Sequence, residues 1–468
     1  MPNNTYYTPG VYVEEISKFP PSITAVQTAI PAFIGYTQTA KKDGQSLINV
    51  PLRISSLLEF ESYYGTAQPE EHLLTTIEEE AGTTRYNVSL PDTQAKPASK
   101  HLLYYAMQQF FDNGGGPCYI VSVGTYLPLG TPITDGAAFT KALDELKKQD
   151  EPTLIVIPEG QGMSVDTYIP IIQNALAQCA LLKDRFTIID LTHTGKGLKT
   201  EGEILEAAKA FRDKMSATAE ELRFGAAYFP NIRSAFNYVY DESKIKVVID
   251  GAEKEFSTLT NLQKANVRLA IDNFSIYLPP SASVAGVYAR VDNTRGVWKA
   301  PANEVLKSVF EVTCDINDQI QQNLNVDVDN GKSINAIRFF TGKGVKIWGA
   351  RTLDGNSNEW RYVSVRRYFN MVEESTKKAT EQFVFEPNDA NTWVKVRAMI
   401  ENFLTNQWRA GALAGAKPEH AFYVKVGINE TMTAFDILEG KMIVEIGLAV
   451  VRPAEFIILR FSHKMQES

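Results

Sequence analysis

The chain has 468 residues, 44% of them hydrophobic and 22% charged, the composition of a globular protein with room for two or three domain cores. A net charge of −8 argues against nucleic acid as a partner by bulk attraction. Residues 291–468 hold equal numbers of basic and acidic side chains, so the whole acidic excess falls on 1–290. Three widely separated cysteines, Cys118, Cys179 and Cys314, offer no disulfide framework and read as reduced core thiols, as in a protein assembled in the cytoplasm. No apolar run is long enough to span a bilayer and Met1–Asn4 lacks the marks of a secretory signal, so direct membrane insertion is not expected.

In chain order, residues 1–25 read as an N-terminal arm. Thr8-Pro9-Gly10 turns into a short strand, Val11-Tyr12-Val13-Glu14-Glu15-Ile16, with Phe19-Pro20-Pro21 as its hinge. Ala32–Thr37 reads as a buried strand, Leu57–Gly65 as a short helix stopped by glycine, and 82–100 as a surface loop. From 101 to 230 helices and strands alternate. The helices are Lys100–Asp112, Gly136–Lys148, Asp166–Leu182 and Gly202–Ser216; the strands are Cys118–Val123, Thr153–Ile157, Phe186–Asp190 and Phe224–Phe229. These strands are apolar throughout, which predicts an α/β domain whose parallel sheet is covered on both faces. A hairpin of Phe236–Tyr240 with Lys246–Ile249 and a helix from Thr258 to Asp272 follow.

The C-terminal part reads as α+β. A hairpin folds about Thr341–Gly344. A helix near 361–382 carries Glu373/Lys377 and Glu374/Lys378 pairs on its charged face. A second helix, capped by Asp389 and stopped at Gly411, turns Trp393, Val396, Ile400, Phe403, Leu404 and Trp408 inward. Strands Ala421–Val426 and Lys441–Val451 precede a last one, Glu455–Phe461. Its Phe456 and Ile458 face one way, and Ile457, Leu459 and Phe461 the other, with Arg460 between. Sticky strands at both ends leave two arrangements open: pairing within one chain, or augmentation of a neighbour's sheet.

Motifs for chemistry fail one by one. Asn113-Gly114-Gly115-Gly116-Pro117 precedes a strand instead of joining a strand to a helix, so it is a helix stop and not a dinucleotide loop. Gly331-Lys332-Ser333 has Val326 where a phosphate loop needs glycine. Aligning Gly331 with a calcium loop puts ligand positions on Val326, Val328 and Ile337, leaving an acidic turn at Asp327, Asp329 and Asn330. His72, His101, His193, His420 and His463 share no metal spacing, and Ser164 lacks a nucleophile elbow. No catalytic residue, metal or cofactor is expected. The basic-aromatic runs Trp360-Arg361-Tyr362 and Arg366-Arg367-Tyr368 read as helix-face packing rather than RNA contacts.

The residues at both ends and through the C-terminal part resemble the sheath proteins of contractile phage tails and related injection systems. Thr8–Glu15, Phe33–Thr37 and Asn113–Val123 are similar to the family's opening stretches. The most specific run is Gly286–Asp292 with Arg295–Asn303, then Trp348–Leu353, Trp360–Val363, Phe383–Asn388, Trp408 and Pro453–Phe456. The resemblance implies a structural subunit and not an enzyme. Such subunits stack as hexameric rings around an inner tube protein, on a baseplate and under terminal cap proteins, with or without sister sheath proteins. On triggering, the sleeve shortens and drives the tube through a target envelope.

The resemblance also implies four parts: an N-terminal arm (1–25), an outer α/β domain with insertions (26–285), an inner α+β domain (286–453) and a C-terminal arm (454–468). Val11, Tyr12, Val13 and Glu14, with Phe456, Ile457, Ile458, Leu459, Arg460 and Phe461, are the expected inter-subunit arm residues. Arg366, Arg367, Lys377 and Lys378 are the expected tube-facing helix residues. The particle is then a virion tail, a released device or a membrane-attached one. The alternatives are a non-contractile shell or surface-lattice protein, and an α/β enzyme with an oligomerisation domain.

Overall fold

The computed structural model describes residues 22–80, 83–191 and 198–459. Two compact units divide them. The larger takes in 26–374 and the segment from 451; the smaller takes in 22–25 and 375–450.

A nine-stranded sheet organises the larger unit. From edge to edge its strands are Glu304–Val305, Gly344–Ile347, Ile334–Phe340, Gly225–Phe229, Phe186–Asp190, Leu154–Val156, Pro31–Thr37, Cys118–Thr125 and Leu52–Ile54. The six from Ile334–Phe340 to Cys118–Thr125 are parallel, and the outer ones are antiparallel. Successive residues face opposite ways, as the pleat requires. Phe33 enters a core with Phe110, Val284 and Tyr288, whereas Ile34 and Tyr36 enter one with Phe139, Tyr168 and Phe211. Helices Leu103–Asp112 and Ser281–Arg295 cover the first face; Gly136–Leu146, Val165–Leu182 and Glu201–Lys214 cover the second. The alternation expected over 101–230 is therefore present, with ends shifted by a few residues. Cys118, Cys179 and Cys314 are free and buried.

Three expectations are corrected. The boundary at 285/286 falls inside this unit, because Ile334–Phe340 pairs in parallel with Gly225–Phe229. Just before that point, Pro280 precedes the first turn of the buried helix Ser281–Arg295. The hairpin over 236–249 does not form. Ile232–Asn237 pairs with Ser275–Leu278 and Val309–Val312, while Lys246–Ile249 joins Ala252–Glu255 and Leu74–Glu80. Asp241 closes a short 3-10 turn by accepting from Ser243 N at 3.0 Å, which prevents a tight reversal there. Finally, the expected loop 82–100 begins with strand Thr83–Ser89, paired with Leu74–Glu80; its Tyr86 and Val88 pack towards helix Asn261–Asp272.

The helix Ser281–Arg295 is buried on almost every side, so its small residues Ala282, Ala285, Gly286 and Ala289 set how closely its neighbours approach. Its first turn is held by Asp190, at the end of a central strand. Asp190 Oδ1 accepts from Ser281 N at 2.8 Å, and Oδ2 meets Ser281 Oγ at 2.5 Å. Burial pushes the Asp190 carboxyl up to about 7 against the lowering effect of those bonds. A folded-state value above the unfolded one gives stability that is complete below about pH 4 and lost as pH rises through about 7. Asp190→Asn keeps both partners and cannot ionise. Its melting temperature is expected to gain on the wild type progressively between about pH 4 and 7 and to level off above; parallel profiles would count against this assignment.

In the smaller unit, Asp389 accepts from Thr392 N at 3.0 Å and caps helix Ala390–Arg409, as expected. The helix buries Val396, Met399, Ile400, Phe403 and Leu404 and stops before Gly411, whose φ of 88° suits glycine. It packs against a two-stranded antiparallel sheet, Phe422–Lys425 with Glu445–Leu448.

Candidate assembly interface

The C-terminal segment departs from a fixed point. Arg351 is buried and forks onto Glu455, with Nε donating to Oε1 at 2.9 Å and Nη2 to Oε2 at 2.7 Å. Asn325 Nδ2 donates to Oε1 at 2.7 Å and Tyr362 Oη to Oε2 at 3.0 Å. Burial raises the Glu455 carboxyl, but these donors and the Arg351 charge outweigh it and hold the group below the usual carboxylate range. Beyond this clasp, Phe456, Ile457, Ile458 and Leu459 are 69–79% exposed and pair with no strand among the described residues. Among the described residues 456–459 make no in-chain pairing; the other terminal strand, 11–16, lies outside them. Arg460 and Phe461, and the N-terminal Val11, Tyr12, Val13 and Glu14 with their Pro20-Pro21 hinge, lie outside the described residues.

Two of the four expected tube-facing residues are corrected. Arg366 and Arg367 are buried in the larger unit. Arg366 donates to Asn370 Oδ1 at 2.8 Å and Glu373 Oε1 at 2.9 Å, and lies 4.4 Å from the Trp360 ring. Arg367 forks onto Asp292 at 3.1 and 2.6 Å and also donates to the Thr28 carbonyl at 2.8 Å. The sequence signalled this weakly: both arginines adjoin apolar Val365 and Tyr368, and a guanidinium fits where a carboxylate and aromatic faces await it. Lys377 and Lys378 are exposed on the same helix, Val363–Thr380.

The smaller unit carries a feature that sequence reasoning missed. Phe385 is fully exposed, and its φ of 70° is one that an aromatic residue rarely adopts. Such a conformation costs about 1–3 kcal/mol and persists only where the surroundings impose it. Here Glu386 N donates to Phe383 O at 3.1 Å, and Asn388 next door bonds Lys441 O and the Trp393 indole. A strained turn that displays an aromatic ring to solvent suits contact with another molecule. Phe385→Asn, which tolerates this φ, is expected to stabilise the isolated subunit by about 1 kcal/mol in urea unfolding. The same change should weaken self-assembly in sedimentation. Assembly at wild-type concentration would remove Phe385 from the interface.

The place where an α/β sheet of this kind holds ligands is filled. Strand order reverses around Pro31–Thr37, and ligands bind beyond the carboxyl ends at such a point. There His101 Nδ1 meets Glu159 Oε2 at 3.0 Å, Leu127 N donates to His101 Nε2 at 3.0 Å, and Tyr126 stacks on the imidazole at 5.0 Å. With Nε2 accepting, Nδ1 carries the proton and donates to Glu159. The arrangement looks like an oriented general base, but its second nitrogen is occupied by the main chain. At Asp327 the carboxylate accepts from Asp329 N, Asn330 N and Lys332 N, which closes the acidic turn on itself. Ser164 caps helix Val165–Leu182. Among the described residues no group of three His, Cys, Asp or Glu is assembled for a metal, and no helix is long and apolar enough to cross a membrane.

An exposed apolar tail on a fixed root is a feature suited to joining one chain to another. Comparison with known proteins agrees. The phage tail sheath protein central domain matches 230–353, and the phage tail sheath C-terminal domain matches 356–464. The tail sheath protein of Enterobacteria phage T4 is 25% identical over 144 residues, 29% of this chain and 20% of that protein. That of Burkholderia phage BcepMu is 27% identical over 169 residues, 34% of this chain and 35% of that protein. The matches thus span a fifth to about a third of these curated relatives.

Among solved structures, a chain of the sixfold-symmetrised anti-feeding prophage baseplate is 31% identical with a TM-score of 0.65, over 98% of this chain and 100% of that one. A chain of the contracted sheath complex of PVC, an extracellular contractile injection system, is 31% identical with a TM-score of 0.65, over 98% of each chain. The chain belongs to the contractile sheath protein family.

Proposed function

We propose that the protein polymerises into a sleeve of stacked hexameric rings around an inner tube, and that this sleeve contracts to drive the tube through a target envelope. The observation that carries the reading is the exposed run Phe456–Leu459 leaving a clasped root, an arm with no partner strand among the described residues of its own chain. Among the described residues no named strand pairs with either outer edge of the sheet Phe422–Lys425 with Glu445–Leu448, so a neighbour's arm can extend it. Main-chain hydrogen bonds made this way persist while rigid bodies rotate, which a contracting mesh requires.

The smaller unit is the inner part of the sleeve in this reading. Lys377 and Lys378 are its candidate contacts to the tube protein, and Arg366 and Arg367 are withdrawn from that role. Baseplate and cap proteins are the further partners, assembly takes place in the bacterial cytoplasm, and no step of chemistry is assigned. Purified subunit viewed by electron microscopy, alone and with tube protein, tests the proposal. Tubes of two lengths and widths are expected. Flat lattices would instead support a shell protein, and tight nucleotide binding by the subunit an enzyme. Reversing the charge of Lys377 and Lys378 together is expected to abolish co-assembly with the tube protein; unchanged co-sedimentation would exclude that contact.

A further inference from the structure

Two buried arginines grip the chain at the base of each expected arm, Arg367 at Thr28 and Arg351 at Glu455. We infer that Arg351 and Arg367 are positioning residues for the arms, and that they tie both arms to one rung of the central sheet. The inference rests on the sheath-subunit reading, because only that reading puts a load on the arms.

At the C-terminal root the carboxylate of Glu455 accepts from four donor atoms, two of them on Arg351, and the very next side chain is out in solvent. At the N-terminal root Thr28 is held twice. Its carbonyl accepts from Arg367 Nη2 at 2.8 Å, and its hydroxyl donates to Asp292 Oδ2 at 2.6 Å, the oxygen that also takes Arg367. In each case a planar guanidinium with several donors grips a carboxylate and a second group at once, which fixes direction as well as distance.

Both grips lead to the same place. Asn335 accepts from Arg351 N at 2.7 Å and donates to Arg351 O at 2.8 Å, while its amide also reaches Ala227 O at 3.1 Å. The Arg367 guanidinium lies 4.6 Å from the Tyr288 ring, and Tyr288 Oη meets Tyr228 Oη at 2.6 Å. Tyr228 and Asn335 are partners in register on adjacent parallel strands. A pull on one arm therefore enters the sheet beside the residue that receives a pull on the other. The subunit acts as a stiff link between its two neighbours, and slack at either root makes the lattice irregular without unfolding the subunit.

The test uses the full chain with Glu455→Gln, Arg351→Lys and Thr28→Ala, beside a chain ending at Glu455. Glu455→Gln removes the charge at nearly constant size. Arg351→Lys keeps the charge and loses the fork, and Thr28→Ala leaves the Arg367–Asp292 pair in place. Each point variant is expected to raise the concentration needed for tube formation at least tenfold, or to broaden helical rise and twist in electron micrographs, with near-ultraviolet circular dichroism unchanged. Should Glu455→Gln fail to fold, Arg351→Lys and Thr28→Ala decide. Tubes from the chain ending at Glu455 would overturn the arm reading itself. If that chain makes none while the folded point variants polymerise at wild-type concentration with wild-type rise and twist, the arms stand and the anchors fall.

Discussion

A chain that ends at Glu455 is expected to melt at the same temperature as the full-length subunit and to form no tubes. The side chains of Phe456, Ile457, Ile458 and Leu459 are already in solvent in the single chain, so removing them exposes little new apolar surface. The clasp on Glu455 stays, because its four donors come from Arg351, Asn325 and Tyr362. In a polymer, each of these four side chains gains about 1.5–3 kcal/mol on full burial. That exceeds the roughly 1–2 kcal/mol that ordering one backbone residue costs, before any ladder hydrogen bond is counted. The loss thus falls on association alone. Sedimentation and micrographs separate the two terms; normal tubes would show that other surfaces hold the sleeve.

Gly286→Ala gives the second large effect, with a sign that distinguishes this site from an ordinary helix. On an exposed helix the change stabilises by up to about 1 kcal/mol. Here a Cβ would lie 2.6 Å from the Phe110 carbonyl oxygen and 2.7 Å from the Asn113 Cβ, so the helices Ser281–Arg295 and Leu103–Asp112 must separate. Overpacking of a tight core costs about 1–3 kcal/mol, and a destabilisation of that size is expected in urea unfolding. Gly286→Leu should leave little soluble subunit. A more stable Gly286→Ala would mean that the helix contact is looser than these distances require.

Much of the fold was legible because its strands are apolar on both faces. Phe186–Asp190 and Gly225–Phe229 could be placed within a residue, since buried parallel strands leave few alternatives. The extent of the larger unit was not legible. Ile334–Phe340 carries the same apolar signal, but more than a hundred residues separate it from Gly225–Phe229, and register across such a gap leaves no local trace. Of the candidate interface, the arm Phe456–Leu459 was visible as an apolar run in a polar tail. Arg366 and Arg367 were misread because a helical face says which residues align, and not whether Asp292 and Trp360 wait beside them. Phe385 was missed since a backbone turn of the wrong hand has no signature in a phenylalanine.

The central sheet ends in strands of three and two residues, Leu52–Ile54 and Glu304–Val305, and the exposed strand Ala252–Glu255, at the edge of the four-stranded sheet it forms with Lys246–Ile249, Leu74–Glu80 and Thr83–Ser89, carries Glu253, Lys254 and Glu255. Short or charged borders recruit foreign strands poorly. At these borders the subunit is guarded against foreign strands, which leaves joining to surfaces elsewhere on it.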